Sequence, residues 1–440
     1  MYKKSAYLMT VILAAAVTAS GCGSSGNTDG AKPTSSGSPA ASQSASQSSE
    51  PAGEKQVTLK VLSFKSGQEI GNMEQLNEKF EQENPGIQIE LEAKGGTAYK
   101  ELLKARAASG ELADVVMVHP GYSSLGPYAE ADYLLDLSGE PWAGDIADSA
   151  KSVTSFEGKL YALPNDLAAL GVYYNKEVFE KLGLAVPTTY DEFLEICEKI
   201  KASGMNAIAL NKDWQIFDTY TFAPSWIYAN HPDFDDKMNA GEGTFAGVWE
   251  EMFQAYEDLY KNYAPKDAQG LSGDAAQNNF ANGKAAMMIN GSWAYPSLKQ
   301  ANPDLQFGMF PLPNREGAIW AAAAVGTTWA INKDSAQIEA AKTYLKFWAD
   351  PANQASWAQS QNSFPTNMQA KQDVEEGLKP IADAIAQGNY WRFLDQGWIN
   401  PNLQPEFQTN TQKLLYGQLT VEGVTQALDA EMKKYVEQNR

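Results

Sequence analysis

Histidine and cysteine, the side chains most often used for metal binding and acid–base catalysis, are sparse in this chain. The only histidines are His119 and His231, and each is followed by proline, which excludes a histidine-rich zinc or iron site. The two cysteines, Cys22 and Cys197, form no paired CxxC motif. The motifs of zinc proteases, serine hydrolases and nucleotide-binding loops are also missing. We therefore predict no catalytic residue, no metal ion and no cofactor.

Adjacent carboxylates are present, and in principle such groups perform acid–base chemistry. The clearest pairs are Glu250 with Glu251 and Asp235 with Asp236. Neighbours in sequence point to different sides of a helix or strand, so they do not converge on one substrate atom. We expect these pairs to lie on solvated faces.

Tryptophan is abundant, with eleven residues in the chain. A sugar ring has apolar C–H faces and a rim of hydroxyl groups, so its site needs flat aromatic surfaces beside polar side chains. Tryptophan supplies such a surface with few rotatable bonds. Another interpretation is that tryptophans fill the core, which we expect of Trp249 and Trp348 on helices. The tryptophans in loop-like contexts, which are candidates for sugar contact, are Trp214, Trp226, Trp293, Trp391 and Trp398.

The elements that must position these side chains alternate between strands and helices. Residues 57–62 and 87–91 have the apolar alternation of strands, and a helical pattern with Met73, Leu76 and Phe80 separates them. A second helix and then an unbroken apolar run at 114–118 follow. Such a run is typical of a strand buried on both faces of a parallel sheet. This order predicts an α/β sheet with right-handed crossovers.

Length and charge limit the organisation and the partners of the protein. A chain of 440 residues and 47.9 kDa is too long for one compact core and favours several domains or a two-lobed body. Its 34 basic and 54 acidic residues give a net charge of −20, which repels nucleic acid. We therefore expect no nucleic-acid partner.

The N-terminal segment has the pattern of an export signal. Lys3 and Lys4 precede an apolar run at 6–19, which is shorter than the roughly 20 residues that cross a bilayer. The run closes with Ala-Ser-Gly-Cys, which resembles a bacterial lipobox whose Cys22 is diacylated. An ordinary signal peptide with an incidental cysteine is the alternative. We predict a signal peptide at 1–21 and a disordered Ser/Ala-rich tether at 22–56.

The order of motifs in the body resembles bacterial extracellular solute-binding proteins of family 1, the sugar-binding lipoproteins of ABC importers, which include the maltodextrin-binding protein. Each motif is weak alone, but together they cover nearly the whole body behind the lipobox. The motifs are FEQENPGI at 80–87, ADVV at 113–116, LLDL at 134–137, GKLYALP at 158–164, YNK at 174–176, PTTYDEF at 187–193, GKAAM at 283–287 and NGSW at 290–293.

The resemblance implies a two-lobed periplasmic-binding-protein-like α/β fold, in which each lobe is a mixed, mostly parallel sheet flanked by helices. The ligand would lie in the cleft between the lobes, which would close over it. We expect residues 57–169 and 326–375 to form the first lobe, and residues 170–325 and 376–440 to form the second.

The resemblance also directs attention to the loops after the strands, because ligands of open α/β sheets bind outside the carboxyl ends of strands. By the family pattern, Trp293 is the aromatic platform of the second lobe, Asp166 lies just before a crossing between lobes, and Trp391 and Asp395 are late contributors. The complete set of predicted ligand-binding residues is Gln68, Glu69, Thr97, His119, Tyr122, Asp166, Trp214, Trp226, Trp293, Trp391 and Asp395.

The implied function is capture of a carbohydrate, with an oligosaccharide favoured over a monosaccharide because aromatic residues are numerous. The implied partners are ABC permease subunits and the bilayer reached through acylated Cys22, with the protein a monomer on the extracytoplasmic face of the cell membrane. Two other classes stay open. A ferric-ion binder would use Tyr173 and Tyr174, and a lipid-anchored glycoside hydrolase would need two carboxyl groups roughly 5–10 Å apart. A purely structural lipoprotein is the remaining alternative.

Overall fold

Two mixed sheets form the framework of the protein. The computed structural model describes residues 56–439, and the predicted signal peptide, Cys22 and the tether up to residue 55 lie outside them. The strands within the described residues are β1 (Val57–Ser63), β2 (Ile87–Ala93), β3 (Val115–Val116), β4 (Ser155–Phe156), β5 (Lys159–Leu160), β6 (Leu163–Pro164), β7 (Asp166–Asn175), β8 (Asn206–Ile208), β9 (Ala285–Gly291), β10 (Phe307–Phe310), β11 (Ala321–Val325), β12 (Thr328–Ile331), β13 (Phe364–Pro365) and β14 (Tyr390–Trp391).

Helices connect and cover these strands. The α-helices of the described part are α1 (Met73–Glu83), α2 (Gly96–Ser109), α3 (Tyr122–Glu130), α4 (Asp148–Ser152), α5 (Lys176–Leu182), α6 (Tyr190–Ala202), α7 (Gln215–Ala223), α8 (Phe234–Asn239), α9 (Glu250–Tyr263), α10 (Gly273–Ala281), α11 (Tyr295–Ala301), α12 (Ile338–Ala349), α13 (Pro351–Gln361), α14 (Lys379–Ala386), α15 (Leu394–Gly397), α16 (Leu403–Leu415) and α17 (Val421–Asn439). Short 3-10 helices lie at Gly67–Ile70, Pro141–Asp145, Ser292–Ala294 and Glu376–Leu378, and a π-helix lies at Pro224–Tyr228.

The first sheet has the strand order β2, β1, β3, β12, β6. Strands β2 and β3 both run parallel to β1, and β12 returns antiparallel to β3. Val115 and Val116 of β3 are fully buried, as their unbroken apolar run predicts. The first sheet and its crossover helices α1 and α2 confirm the predicted α/β class.

The second sheet has the order β14, β11, β7, β9, β8, with β10 and β13 also paired to β7. Strand β7 is ten residues long and is almost completely buried, because β11 and β13 pair with its first half while β9 and β10 pair with its second half. The second sheet is therefore built around one central strand.

The chain passes between the two sheets at short segments. Asn165 separates β6 of the first sheet from β7 of the second, and Gly326 and Thr327 lead from β11 to β12. A Cβ atom at Gly326 would lie only 3.1 Å from the Cβ of Ala168, so glycine lets the two crossing segments run side by side. Strand β7 begins at Asp166, whereas the predicted lobe boundary falls between residues 169 and 170. The assignment of residues to lobes stays a prediction.

Two hydrophobic clusters form the core; the first contains residues of both sheets, and the second contains residues of the second sheet. Trp348 is fully buried in the first and Trp249 in the second, which confirms that both tryptophans belong to the core. Cys197 on α6 is also fully buried in the second cluster, and burial raises the pKa of its thiol. Within residues 56–439, none of the helices combines the length and apolar character that crossing a bilayer requires.

Candidate ligand-binding cleft

The carboxyl ends of β1 and β2 carry the first group of predicted site residues. Gln68 and Glu69 lie on the exposed 3-10 helix that follows β1, and the Glu69 carboxylate is 4.0 Å from Lys65 Nζ. Thr97 is the second residue of α2, directly after β2. The loops after β1 and β2 touch, because a Cβ atom at Gly95 would lie 2.7 Å from the Oγ of Ser66.

His119 and Tyr122 follow β3 at the same edge of the sheet. The imidazole of His119 stacks on the Phe64 ring, with the ring centroids 4.3 Å apart and the planes 17° apart. Burial, and then the charges of Lys100 and Lys65, lower the pKa of His119 to about 4. The imidazole is therefore neutral near pH 7 and has one donor and one acceptor nitrogen. Tyr122 begins α3 and is 47% exposed.

In the second lobe, Trp293 lies at the centre of a group of aromatic side chains. A Cβ atom at Gly291 would be 2.2 Å from the indole ring, so the glycine of the NGSW motif makes room for the tryptophan to fold back over the strand end. Phe217 and Phe393 contact Trp293 edge to face at 5.5 and 6.2 Å, and Tyr220 lies 5.9 Å from Phe393. We call Phe217, Tyr220, Trp293 and Phe393 the aromatic cluster.

Asp395 adds a carboxylate beside the aromatic cluster. Burial raises its pKa to about 6, while the neighbouring Tyr220 hydroxyl and the charge of Lys100 lower it. The Oδ1 atom of Asp395 is buried and has no hydrogen-bond partner among the described residues. Gln404 Nε2 donates a hydrogen bond to the Tyr220 hydroxyl at 3.1 Å. Leaving a buried acceptor without a partner is costly, so Oδ1 is a candidate acceptor for a donor that the described residues do not supply.

Contacts at two places join the elements that carry these two sets of side chains. A Cβ atom at Gly121 would lie 3.1 Å from the carbonyl oxygen of Asp395, so the loop between His119 and Tyr122 lies against α15. At the other end, α11 follows Trp293 and lies beside the 3-10 helix of the first lobe. The loop that carries His119 and Tyr122 therefore lies beside α15, which carries Asp395, and the segment after Trp293 lies beside the 3-10 helix that carries Gln68 and Glu69. That these residues line one ligand cleft stays a prediction.

Asp166 is placed at the crossing segment. Its side chain is buried, and its Oδ1 atom accepts a hydrogen bond from the backbone N–H of Thr327 at 2.8 Å. The adjacent Asn165 is fully buried, and neither polar atom of its side chain has a partner within residues 56–439. The Asp166 carboxylate thus holds the two crossing segments together.

Within the described residues, Trp214 and Trp226 form no ring contact with the aromatic cluster, although Trp214 directly precedes the helix that carries Phe217. Trp214 precedes α7 and is half-buried, with its ring packed over Gly273, where a Cβ atom would come within 2.1 Å. Trp226 belongs to the π-helix and is buried in the second core, 5.1 Å from Tyr190 and 6.1 Å from Phe222. The structure does not bring Trp226 together with the cleft residues.

Trp391 is held by a buried carboxylate. Its ring stacks on Tyr228 at 4.4 Å, and its Nε1 donates to Asp235 at 3.3 Å. The same carboxylate accepts hydrogen bonds from Trp398 Nε1 at 3.1 Å, from Arg392 at 3.2 Å and from the Tyr228 hydroxyl. Burial raises the pKa of Asp235, whereas Arg392 and the hydrogen bonds lower it. We call Tyr228, Asp235, Trp391, Arg392 and Trp398 the Asp235 clamp.

The Asp235 clamp corrects one sequence expectation. Asp235 and Asp236 were expected together on a solvated face, but Asp235 is 1% exposed while Asp236 is exposed. The physical reason is that four donors from separated parts of the chain surround the Asp235 carboxylate. The clamp fixes both ends of the segment 391–398, which carries Phe393 and Asp395 into the cleft.

Four residues of the cleft were not among the predicted set. Phe217, Tyr220 and Phe393 complete the aromatic surface, and Gln404 supports the Tyr220 hydroxyl. Phe393 stands between Trp391 and Asp395 in sequence, and this position between two predicted site residues could have identified it. Gln404 lies in an ordinary helical sequence with no such signal.

The geometry does not support metal binding in the described part of the chain. Residues 56–439 contain no group of three or more His, Cys, Asp or Glu side chains that could hold a metal ion. The Tyr173 hydroxyl donates to the carbonyl oxygen of Gly291 at 3.0 Å, while Tyr174 packs against Phe179 and Phe310. These two tyrosines point to opposite faces of β7 and do not form the adjacent pair of a ferric site.

Comparison with known proteins matches this architecture. The model of the family described as bacterial extracellular solute-binding protein matches residues 66–355. The multiple sugar-binding protein of Streptococcus mutans serotype c is 25% identical over 372 residues, covering 82% of this chain and 87% of its own. The melibiose/raffinose/stachyose-binding protein MelE of Bacillus subtilis is 25% identical over 415 residues, covering 90% and 93%. The apo structure of RafE from Streptococcus pneumoniae has a TM-score of 0.73 and 22% identity, covering 88% of this chain and 100% of that one.

The matches with relatives and solved structures extend over most of the chain. The family match covers well over half of the chain, and the structural likeness confirms the two-lobed α/β fold. The family match confirms the prediction of a binding protein rather than an enzyme. By motif order, by fold and by family match, this chain belongs to the bacterial extracellular solute-binding proteins.

Proposed function

We propose that this protein captures an oligosaccharide outside the cytoplasm and delivers it to an ABC importer. The observation that carries this proposal is the aromatic cluster around Trp293, which lies beside the Asp395 carboxylate with its unpartnered oxygen. The neutral imidazole of His119 stands at the carboxyl end of β3, and we expect it to line the same cleft. Aromatic faces pack on the apolar faces of sugar rings, and the polar groups accept and donate at the hydroxyl rim. The names of the relatives, which are binding proteins for multiple sugars and for melibiose, raffinose and stachyose, support the same class of ligand.

Closure of the lobes supplies the mechanism of capture. A ligand in the cleft would contact His119 on the first lobe and Trp293 and Asp395 on the second, so it binds best when the two lobes approach. The chain passes between the sheets at Asn165 and at Gly326 and Thr327, and rotation at these segments is the expected hinge movement. Closed and open forms then differ in shape, which lets a membrane permease distinguish the loaded protein.

We also propose that Cys22 carries the lipid anchor and that residues 22–56 act as a flexible tether to the membrane surface. Homologues named as lipoproteins of maltooligosaccharide ABC transporters support this proposal. Delivery to permease subunits and a monomeric state belong to the same proposal. Metabolic labelling with a radioactive fatty acid tests the anchor, because Cys22→Ala would remove the label while an ordinary signal peptide would never acquire it.

A thermal-shift screen tests the proposed function. The chain from residue 22 onward, with Cys22→Ser to prevent acylation, is screened against melibiose, raffinose, stachyose, maltose to maltotetraose, monosaccharides and ferric ion. A ligand at a hundred times its Kd adds about 2.7 kcal/mol of stability to the folded state. We expect an oligosaccharide to raise the Tm, Trp293→Ala to abolish the shift, and Tyr263→Ala on α9 to preserve it as the control.

Two results would overturn the proposal. If ferric ion raised the Tm and none of the sugars did, the protein would be a ferric-ion binder instead. Release of chromophore from a chromogenic glycoside by the purified protein would return the glycoside-hydrolase class.

A further inference from the structure

A groove leads away from the cleft into the first lobe. It lies between α2 and α3 and has a volume of about 570 Å³, which is within the range of sites that hold small molecules. His119 of the first lobe and Gln404 of the second both line it, so the groove is continuous with the cleft. We call it the side groove. Its chemically distinctive lining residues are Lys100, Lys104, Ser123, Ser124, Tyr128 and Tyr133.

The topology gives the side groove a direction. His119 stands at the carboxyl edge of the first sheet, and α2 and α3 both begin at that edge and run back beside the strands. At the far end, Leu134 bridges Asn332, and the Tyr133 carbonyl accepts a hydrogen bond from the backbone N–H of Lys333. From Lys100 to Ala108, the groove follows α2 for roughly 12 Å. It is thus longer than one sugar ring, and its far part belongs to the first lobe alone.

The lining of the side groove suits a hydroxyl-rich ligand. Tyr128 and Tyr133 are half-buried and offer ring surface, while Ser123 and Ser124 offer hydroxyl donors and acceptors. Lys100 and Lys104 lie one turn apart on α2. Neither forms an ion pair within the described residues. In a chain with 54 acidic residues, no carboxylate lines this groove, so the two ammonium groups are free to donate to a ligand.

We propose that the side groove is a further subsite, which binds the outer sugar unit of an oligosaccharide longer than the space between the lobes. This inference rests on the proposed function and adds the position of the longer chain to it. Because Tyr128, Tyr133 and Lys104 all belong to the first lobe, contact there adds affinity without requiring closure. The protein would then bind longer ligands more tightly, through a subsite whose main contacts belong to the first lobe alone.

Calorimetric titration with sugars of increasing length tests this inference. Two series are used with the Cys22→Ser chain, namely melibiose, raffinose and stachyose, and maltose to maltotetraose. The wild-type protein should bind the longest member of its preferred series most tightly. Tyr128→Ser should weaken binding of that member by about tenfold, and Lys104→Gln by about threefold, while the shortest bound member changes less than about twofold.

Lys104→Gln keeps the test independent of folding, because Lys104 is exposed and its side chain forms no ion pair or hydrogen bond within the described residues. Lys346→Gln on α12 is the matched control, since Lys346 is also exposed and lies away from the groove. If Tyr128→Ser and Lys104→Gln weakened binding equally for sugars of all lengths, or did not weaken binding of the longest sugar, the side groove would not be a subsite. The proposed function would still stand. If neither series bound the wild-type protein, the proposed function and the side groove would fail together.

Discussion

The second lobe holds two groups of aromatic residues that differ in how their polar atoms are satisfied. In the Asp235 clamp, Trp391 and Trp398 both donate their Nε1–H to one buried carboxylate. In the aromatic cluster, Trp293 packs over Gly291, and its Nε1 has no protein partner among the described residues. The protein itself thus satisfies both indole N–H groups of the clamp, whereas the cluster leaves ring surface and the indole N–H of Trp293 available to a ligand.

This difference separates a supporting role from a binding role. A tryptophan whose indole N–H is already bonded to protein gains little from a ligand hydroxyl, while a half-buried ring with a free N–H gains both packing and a hydrogen bond. The two groups are linked, since the clamp holds the segment that presents Phe393 and Asp395 to the cluster. Substitutions in the clamp should therefore change stability first, and those in the cluster should change affinity first.

The largest expected effect is on the carboxylate at the centre of the clamp. Asp235→Ala would leave Arg392 and two indole N–H groups without their buried acceptor, so we expect the free energy of unfolding to fall by about 3–5 kcal/mol. Urea denaturation followed by tryptophan fluorescence measures this loss. Asp236→Ala is the matched control, because Asp236 is the exposed neighbour and should change stability by less than about 0.5 kcal/mol.

Asp235→Asn is a milder substitution, and its affinity for sugar shows whether the clamp also positions the residues of the cleft. Asn keeps one acceptor oxygen and removes the charge opposite Arg392. We expect binding to weaken while the folded state persists at room temperature. A variant that loses stability but binds sugar as tightly as the wild-type protein would show that segment 391–398 holds its shape without the clamp.

A pair of conservative substitutions tests the comparison itself. Trp391→Phe keeps a ring on Tyr228 but removes the hydrogen bond to Asp235, so unfolding should become easier by about 1–2 kcal/mol with affinity changed less than about threefold. Trp293→Phe removes exposed ring surface, so affinity should fall by about tenfold with little change in stability. Denaturation and calorimetric titration of both variants give the four values needed. If the loss of stability and the loss of affinity stood in the same ratio in both variants, the clamp would not be a supporting group distinct from a binding cluster.

Much of the fold was predictable because it depends on repeated local patterns. The unbroken apolar run around Val115 and Val116 identified a doubly buried strand, and the order of strands and helices identified the sheet type. The position of His119 and Tyr122 after β3, at the carboxyl edge of the sheet, also followed from the predicted strand order, and a general rule makes this edge the place where ligands bind. Residues of this kind are placed by topology, which the sequence pattern encodes.

The rest depends on contacts between distant segments, which no local pattern encodes. Trp226 and Trp293 have similar loop-like neighbours, yet one lies in a core beside Tyr190 and the other lies at the cleft. Asp235 is buried only because residues about 156 positions later in the chain bring donors to it. Gln404 is recognisable only through the Tyr220 hydroxyl that it supports. For residues of the same type, contacts between distant segments therefore determine which residue lies in the core and which lies at the candidate site.

The smallest expected effect is the pH dependence contributed by Asp395. Burial raises its pKa from 3.8 to about 6, so in this interval the folded protein keeps a proton that the unfolded chain has released. Stability contributed by this group is therefore highest below about pH 4 and falls as the pH rises towards 6. A sugar hydroxyl that donates to the ionised carboxylate has the opposite preference, so affinity should fall by about threefold as the pH drops through 6.

Calorimetric titration between about pH 5 and pH 8 measures the affinity change, and Asp395→Asn should flatten the profile. His119 does not confuse the result, because its pKa of about 4 keeps the imidazole neutral throughout this range. A profile that keeps its slope in Asp395→Asn would assign the titration to another group and remove Asp395 from the set of residues that contact the sugar.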